Sequence, residues 1–224
     1  MTDHSSEQPE VYQGQFGEFT ITQADRRGVI IYRSALLVAA FCFAIGTVAV
    51  LWQGDSPTIL KALSINYACF CLALGVSLAT IHIYLAPLHR TLQICWVIGC
   101  TAAIWVAFHN EQPLAMSVYR HPETLIGVGF TFVALTGIFF KEAFCFNRLE
   151  TKLLTPLIPF LLLGHWAGVL PVQGEQALLA CWAILFLVFG LRKAVQPIPP
   201  DIGDKTVFAY LAAQRSPVAS VQSK

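Results

Sequence analysis

Apolar residues come in six continuous runs, at about 34–52, 62–84, 91–109, 124–143, 153–170 and 176–194. Each is close to the ~20 residues that cross the hydrocarbon of a bilayer as a helix. The runs do not alternate apolar with polar positions, which argues against barrel strands. In hydrocarbon a backbone must satisfy its own hydrogen bonds, so the runs predict helices. Turn signals divide them: Gln53-Gly-Asp-Ser-Pro57, Ala86-Pro-Leu-His-Arg90, the longer 110–123 segment, and Pro171-Val-Gln-Gly174. The pattern predicts an all-α, polytopic membrane helix bundle of about six transmembrane helices, with a polar tail over 1–33, the bundle over 34–194 and a second tail over 195–224. Val11 to Thr22 partly alternates and carries two glycines, which suits a hairpin. Asp204 is placed to cap a short amphipathic helix from Lys205 to Ala213.

Charge orients the bundle. With six spans, the tails and the second and fourth links share one side. That side holds Arg26, Arg27, Arg33, Arg90, Lys141, Arg148, Lys152, Arg192, Lys193, Lys205, Arg215 and Lys224, twelve cations, against only Lys61 and Arg120 opposite. Basic residues stay in the cytoplasm, so both termini are expected there, or in the stroma of a plastid. The first 33 residues contain no apolar core of a secretory signal, so the first helix is expected to direct insertion.

Composition agrees. Of 224 residues 56% are hydrophobic and 12% charged, about half the charge of an ordinary soluble domain. The net charge of +1 and the lack of a basic stripe speak against nucleic acid as a partner. Six of the seven cysteines lie in apolar runs, where cysteine acts as a small hydrophobe; no CxxC or zinc spacing occurs. Small residues suggest close helix packing: Gly164 and Gly168 form a GxxxG, and Gly75/Ala79 and Gly99/Ala103 form GxxxA pairs. Pro156 and Pro159 should bend the start of the fifth helix.

Three stretches carry a family resemblance. They are Gly75-Val-Ser-Leu-Ala-Thr-Ile-His-Ile-Tyr-Leu-Ala-Pro-Leu-His-Arg90, the run from Gly137 through Lys141-Glu-Ala-Phe-Cys-Phe-Asn-Arg148 to Pro156, and Ile198-Pro-Pro-Asp-Ile-Gly-Asp-Lys-Thr-Val-Phe208. Together they resemble an uncharacterised integral membrane protein family of cyanobacteria and chloroplasts, from about Tyr32 to Tyr210. The resemblance implies a photosynthetic setting, in a bacterial plasma membrane or a thylakoid membrane. It brings no activity, substrate or catalytic residue.

Candidate chemistry is sparse. The middles of the six runs hold no Asp, Glu, Lys or Arg, which weighs against proton pumps, carboxylate-relay carriers and voltage sensors. His82 and His89, with Glu142 and Cys145 at the same membrane level, form a candidate metal set. His82 and His165 are candidate ligands of a pigment or haem, but lie too far apart in depth to hold one haem together; His109 is nearer His165 in depth. The same residues also suit packing and interfacial roles. No catalytic residues are assigned, since neither a nucleophile–base arrangement nor a phosphate-cradling loop is present. Lys141, Phe144, Phe146, Arg148 and Lys152 make the densest charged and aromatic turn, a candidate docking surface for other membrane proteins of a photosynthetic complex.

These observations favour a non-enzymatic scaffold, assembly or accessory factor. Two alternatives stand beside it: a transporter of a small neutral or apolar solute, supported by polar residues such as Ser64, Asn66, Ser77 and Thr80 on the second helix, and an intramembrane cofactor- or metal-binding protein.

Overall fold

The computed structural model describes residues 10–54 and 56–215. It begins with the hairpin: β1 (Val11–Gly14) pairs antiparallel with β2 (Gly17–Thr20) across a two-residue turn. Helix α1 (Gln23–Gln53) follows and starts well ahead of the apolar run. A capping box explains the early start. Thr22 accepts from the Asp25 N–H at 3.2 Å, and Asp25 accepts from the Thr22 N–H at 2.8 Å. At 1.5 Å per residue α1 is about 46 Å long, so its polar first turns reach beyond the ~30 Å of hydrocarbon.

Helices α2 (Pro57–Thr80) and α3 (Ala86–His109) each carry proline in the first turn. α2 stops short of the expected 84, because a continued helix would set the Pro87 ring against the Ile83 carbonyl. A short helix α4 (Leu114–Arg120) and a 3-10 turn (Pro122–Thr124) lead to α5 (Leu125–Val128) and α6 (Phe130–Phe146). The fourth apolar run is therefore broken at Gly129, and the two pieces bend by 57°. α6 ends on Asn147 in the left-handed region, φ 52°.

Helix α7 (Leu149–Trp166) contains both Pro156 and Pro159 and stays one helix. It ends in a Schellman turn. The Val169 N–H donates to Gly164 O at 3.1 Å and the Gly168 N–H to His165 O at 3.0 Å, with Gly168 at φ 65°. Gly164 and Gly168 thus form a helix stop and not an interhelical GxxxG. α8 (Val172–Val195), α9 (Pro199–Ile202) and α10 (Lys205–Arg215) complete the described residues.

Among the described residues four helices, α1, α2, α3 and α8, are each long and apolar enough to cross a membrane, and the bent Pro122–Phe146 segment makes up to five. α7 falls short of that measure because Glu150, Lys152, His165 and two prolines dilute its 18 residues. Even so its Leu154, Ile158 and Leu161 lie in the core with Leu36, Leu74, Ile138, Phe139 and Phe186. Small residues set the spacing: a Cβ at Gly99 would run into the Thr131 backbone of α6, and one at Gly137 into Leu92 of α3. The outside carries a belt of exposed Ile45, Ile65, Trp105, Phe108 and Ile184. A water-soluble surface of this kind would aggregate; in lipid it is the solvated face.

Both ends of the described chain meet at one end of the bundle. Asp204 accepts from the Gln15 N–H at 2.6 Å, Phe16 stacks on Tyr210 at 4.1 Å, and Lys205 pairs with Asp25 at 2.8 Å. The 81–85 link joins them: Tyr84 stacks on Phe208 at 4.4 Å, and its hydroxyl accepts from the Asp204 N–H. At the other end α4 meets the α7–α8 turn, where Tyr119 stacks on His165 at 5.0 Å.

Candidate functional site: a buried ion cluster and an aromatic cavity

At the end where the tails meet, five charged side chains are gathered out of solvent. Lys193 of α8 pairs with Glu142 of α6 at 2.9 Å and also with Asp201 of α9. Asp201 takes a second cation, Arg33 of α1, at 2.6 Å. Glu142 takes Lys141 at 2.8 Å and the Tyr32 hydroxyl at 3.1 Å. The side chains of Glu142, Asp201 and Lys193 are 1%, 1% and 2% exposed. Desolvation on this scale is tolerable only where each charge is paired and hydrogen-bonded, and here each is. The Lys193 ammonium also lies 4.5 Å from the Phe146 ring centre and 5.5 Å from that of Tyr32.

The proline-rich tail explains how Asp201 reaches this place. Pro197, Pro199 and Pro200 donate no backbone hydrogen bonds, and the carbonyls of Gln196 and Pro197 are left for an outside donor. Arg33 fills that role. Its guanidinium donates to both carbonyls and, through Nε, to Asp201 at 2.7 Å. Arg33 therefore straps the tail onto α1, and Asp201 is held over Lys193. Nearby, Arg192 donates to both oxygens of Glu150 at 2.9 and 3.0 Å, joining α8 to α7.

The candidate metal set does not converge here. Glu142 is engaged by two lysines and a tyrosine. The His89 Nε2 lies 2.6 Å from the Leu78 carbonyl, so it carries the proton and closes the end of α2. His82 is half-buried over Gly28 of α1, and burial holds its imidazole below the ordinary pKa. Cys145 faces outward. Among the described residues no three His, Cys, Asp or Glu side chains are grouped so as to hold a metal ion. The docking turn divides as well. Phe144 and Lys152 are exposed, whereas Lys141 and Phe146 turn into the ion cluster, and Arg148 is partly buried with its Nε unpartnered among the described residues.

His165 lies at the far end, away from His82. Its Nδ1 is 2.6 Å from Glu175, and its Nε2 is buried without a partner among the described residues. His109 is exposed and stacks on Trp105 at 3.5 Å, so the two do not face one another as a ligand pair.

In that far half a half-open cavity of about 180 Å³ lies between α1, α2, α4, α6 and α8. Its wall is aromatic: Phe43, Tyr67, Phe70 and Phe132 line it. These rings contact one another at centroid distances of 5.9–6.4 Å, and Trp182 lies behind Phe43 at 4.3 Å. Three polar groups also line it. The Tyr67 hydroxyl donates to Thr131 at 3.0 Å, and the Asn66 amide donates to Cys42 O at 2.8 Å. Thr47 is 95% buried, 5% exposed, and its hydroxyl has no hydrogen-bond partner among the described residues. A helix rise of 1.5 Å per residue puts this cavity about 15 Å from the ion cluster along α6 and about 21 Å along α8.

An apolar exterior, a buried core and long apolar helices define a multi-pass integral membrane protein of the all-α class. The chain belongs to the family described as uncharacterized integral membrane protein (DUF2301), whose model matches residues 76–210, more than half the chain. It is also similar to an uncharacterized protein of Haemophilus influenzae, 28% identical over 184 residues, which covers 80% of this chain and 89% of the relative. No solved structure matches. The matched span takes in Glu142, Lys193 and Asp201 and leaves out Arg33 and Thr47. None of these matches names a photosynthetic membrane.

The ion cluster was hidden from sequence reading. Arg33 and Lys193 read as surface cations near helix ends, and Asp201 as part of an extended tail. The available signal was the unusual Pro-Pro-Asp segment following a basic helix end. Thr47 had no signal beyond being a lone hydroxyl in an apolar run.

Proposed function

We propose that the chain crosses the membrane six times, with both tails in the cytoplasm, and acts as a carrier for a small neutral solute. One observation carries this reading: the bundle has a cavity in one half and a buried, fully paired ion cluster closing the opposite end. The meeting of both tails and the 81–85 link at that end fits an even number of crossings, and the excess of basic residues there fits the cytoplasmic side. Ion pairs that join α1, α6, α8 and the tail form a separable seal, because a charged contact can be exchanged for water when helices part. Among the described residues the core between cavity and cluster holds no Asp, Glu, Lys, Arg or His to couple transport to protons, which favours a neutral cargo.

Cysteine labelling in intact cells tests this reading. On a background with the seven native cysteines replaced, Thr47→Cys should react with an impermeant maleimide added outside. Ser77→Cys, buried between cavity and cluster, should stay unreactive and become reactive to a membrane-permeant maleimide, reaching it from the cytoplasm, when Lys193→Met unlocks the inner end. Reaction of neither position, before or after that change, would refute the carrier.

The scaffold reading rests on a different surface. Phe144 is 84% exposed beside exposed Lys152, close to the ion cluster. If this is a docking site for another membrane protein, photosynthetic or otherwise, replacing both residues by alanine should remove specific co-purifying partners and leave solute uptake unchanged.

A further inference from the structure

We infer that the cavity beside Thr47 binds one neutral single-ring molecule bearing a hydroxyl or carbonyl group. The inference rests on the carrier reading for its purpose but on separate observations for its content. Size comes first. About 180 Å³ is close to the ~150 Å³ of an apolar protein cavity that takes up benzene, so one ring fits within it. Shape and chemistry come next. Phe43, Tyr67, Phe70 and Phe132 present ring faces and edges, which favour a flat aromatic guest over a branched aliphatic one.

Polarity completes the argument. A buried hydroxyl costs free energy unless it is hydrogen-bonded, and threonine in a helix commonly satisfies itself on the carbonyl one turn back. Thr80, Thr101 and Thr136 all do this, at 2.7–2.8 Å. Thr47 does not: the residue is 5% exposed, and its hydroxyl is left open to the cavity it lines. The neighbouring Asn66 spends its amide N–H on Cys42 O, which leaves its carbonyl as an acceptor at the same wall. A donor and an acceptor thus line one aromatic pocket, and among the described residues no charged side chain lines it. A ligand carrying a hydroxyl or carbonyl satisfies them; a carboxylate or ammonium would be desolvated without a counter-charge.

Equilibrium dialysis of the full-length protein in mild detergent, with labelled phenol and with labelled toluene, tests the site. Wild type should bind both saturably, with phenol tighter. Thr47→Val keeps the shape and removes the hydroxyl; it should weaken phenol roughly 3- to 10-fold and leave toluene unchanged. Ala115→Leu, which projects a larger side chain from α4 into the cavity, should abolish both, and its thermal unfolding should stay near wild type. Absence of saturable phenol binding, or equal affinities in all three proteins, overturns the inference. So does an acyl chain found by mass spectrometry to fill the site and not be displaced by phenol. Uptake into proteoliposomes separates the two claims. Saturable binding without uptake refutes the carrier and leaves the site standing; uptake indifferent to Thr47→Val and Ala115→Leu refutes the site and leaves the carrier.

Discussion

Replacing Lys193 with methionine should destabilise the protein more than any other single change at the tail end of the bundle. Methionine keeps an unbranched apolar stem, so the loss is chiefly the ammonium. That group is 2% exposed and is shared by Glu142 and Asp201, each with a side chain 1% exposed. Without it Glu142 retains Lys141 and Tyr32, and Asp201 retains Arg33, so neither carboxylate is stripped bare. Breaking a buried pair by removing one partner costs about 3–5 kcal/mol, and this geometry belongs in that range. For a chain of this size each kcal/mol moves the unfolding midpoint about 2–4 °C, which gives a drop of roughly 6–20 °C. The control is the neighbouring Arg192→Met. Its guanidinium bonds both oxygens of Glu150, but its side chain is 45% exposed, so the loss should be about 0–1 kcal/mol. Thermal unfolding of the full chain in detergent, followed by tryptophan fluorescence, reads both. A second check is coupling: Lys193→Met with Glu142→Gln should cost clearly less than the two single changes added together, because the double variant leaves fewer stranded charges. If Lys193→Met unfolds within the range of Arg192→Met, or the double variant is additive, the cluster is not a desolvated ion network and the argument fails.

Two smaller expectations follow from local geometry. Asn147 terminates α6 at φ 52°, a conformation that costs a β-branched residue about 1–2 kcal/mol, so Asn147→Val should lower the unfolding midpoint while Asn147→Gly leaves it nearly unchanged. The Thr206 hydroxyl and the Gln15 N–H hold the Asp204 carboxyl below its ordinary range. A depressed folded-state pKa means that its contribution is present above pH about 3.8 and fades as pH falls through the folded value. Hydrogen exchange at the Gln15 amide should therefore be protected at pH 5 and accelerate relative to the rest of the hairpin as pH falls below the ordinary carboxylate range, and Asp204→Asn should remove that pH dependence.

How much of this was legible depends on where each interaction is encoded. A bilayer forces every crossing segment to satisfy its backbone internally, so the apolar runs showed the helices without reference to one another. The helix ends were less legible because local chemistry overrules hydropathy there. The Thr22–Asp25 box lengthened α1, Gly129 bent the fourth run, and polar residues in Leu149–Trp166 took α7 below the apolarity of the other helices. The ion cluster was not legible at all. Arg33 and Asp201 are 168 positions apart, and no periodicity links them. Two of the cations behind the expected orientation, Arg33 and Lys193, are buried, which is less contradictory than it first looks. A cation near a helix end is kept at the membrane surface whatever covers it afterwards. It is then the proline-rich tail, short of backbone donors and carrying Asp201, that folds over that end and removes Arg33 and Lys193 from water. The apolar helices needed only the solvent to be predicted. The ion cluster needed the tail, whose Asp201 carboxylate pairs with both Arg33 and Lys193.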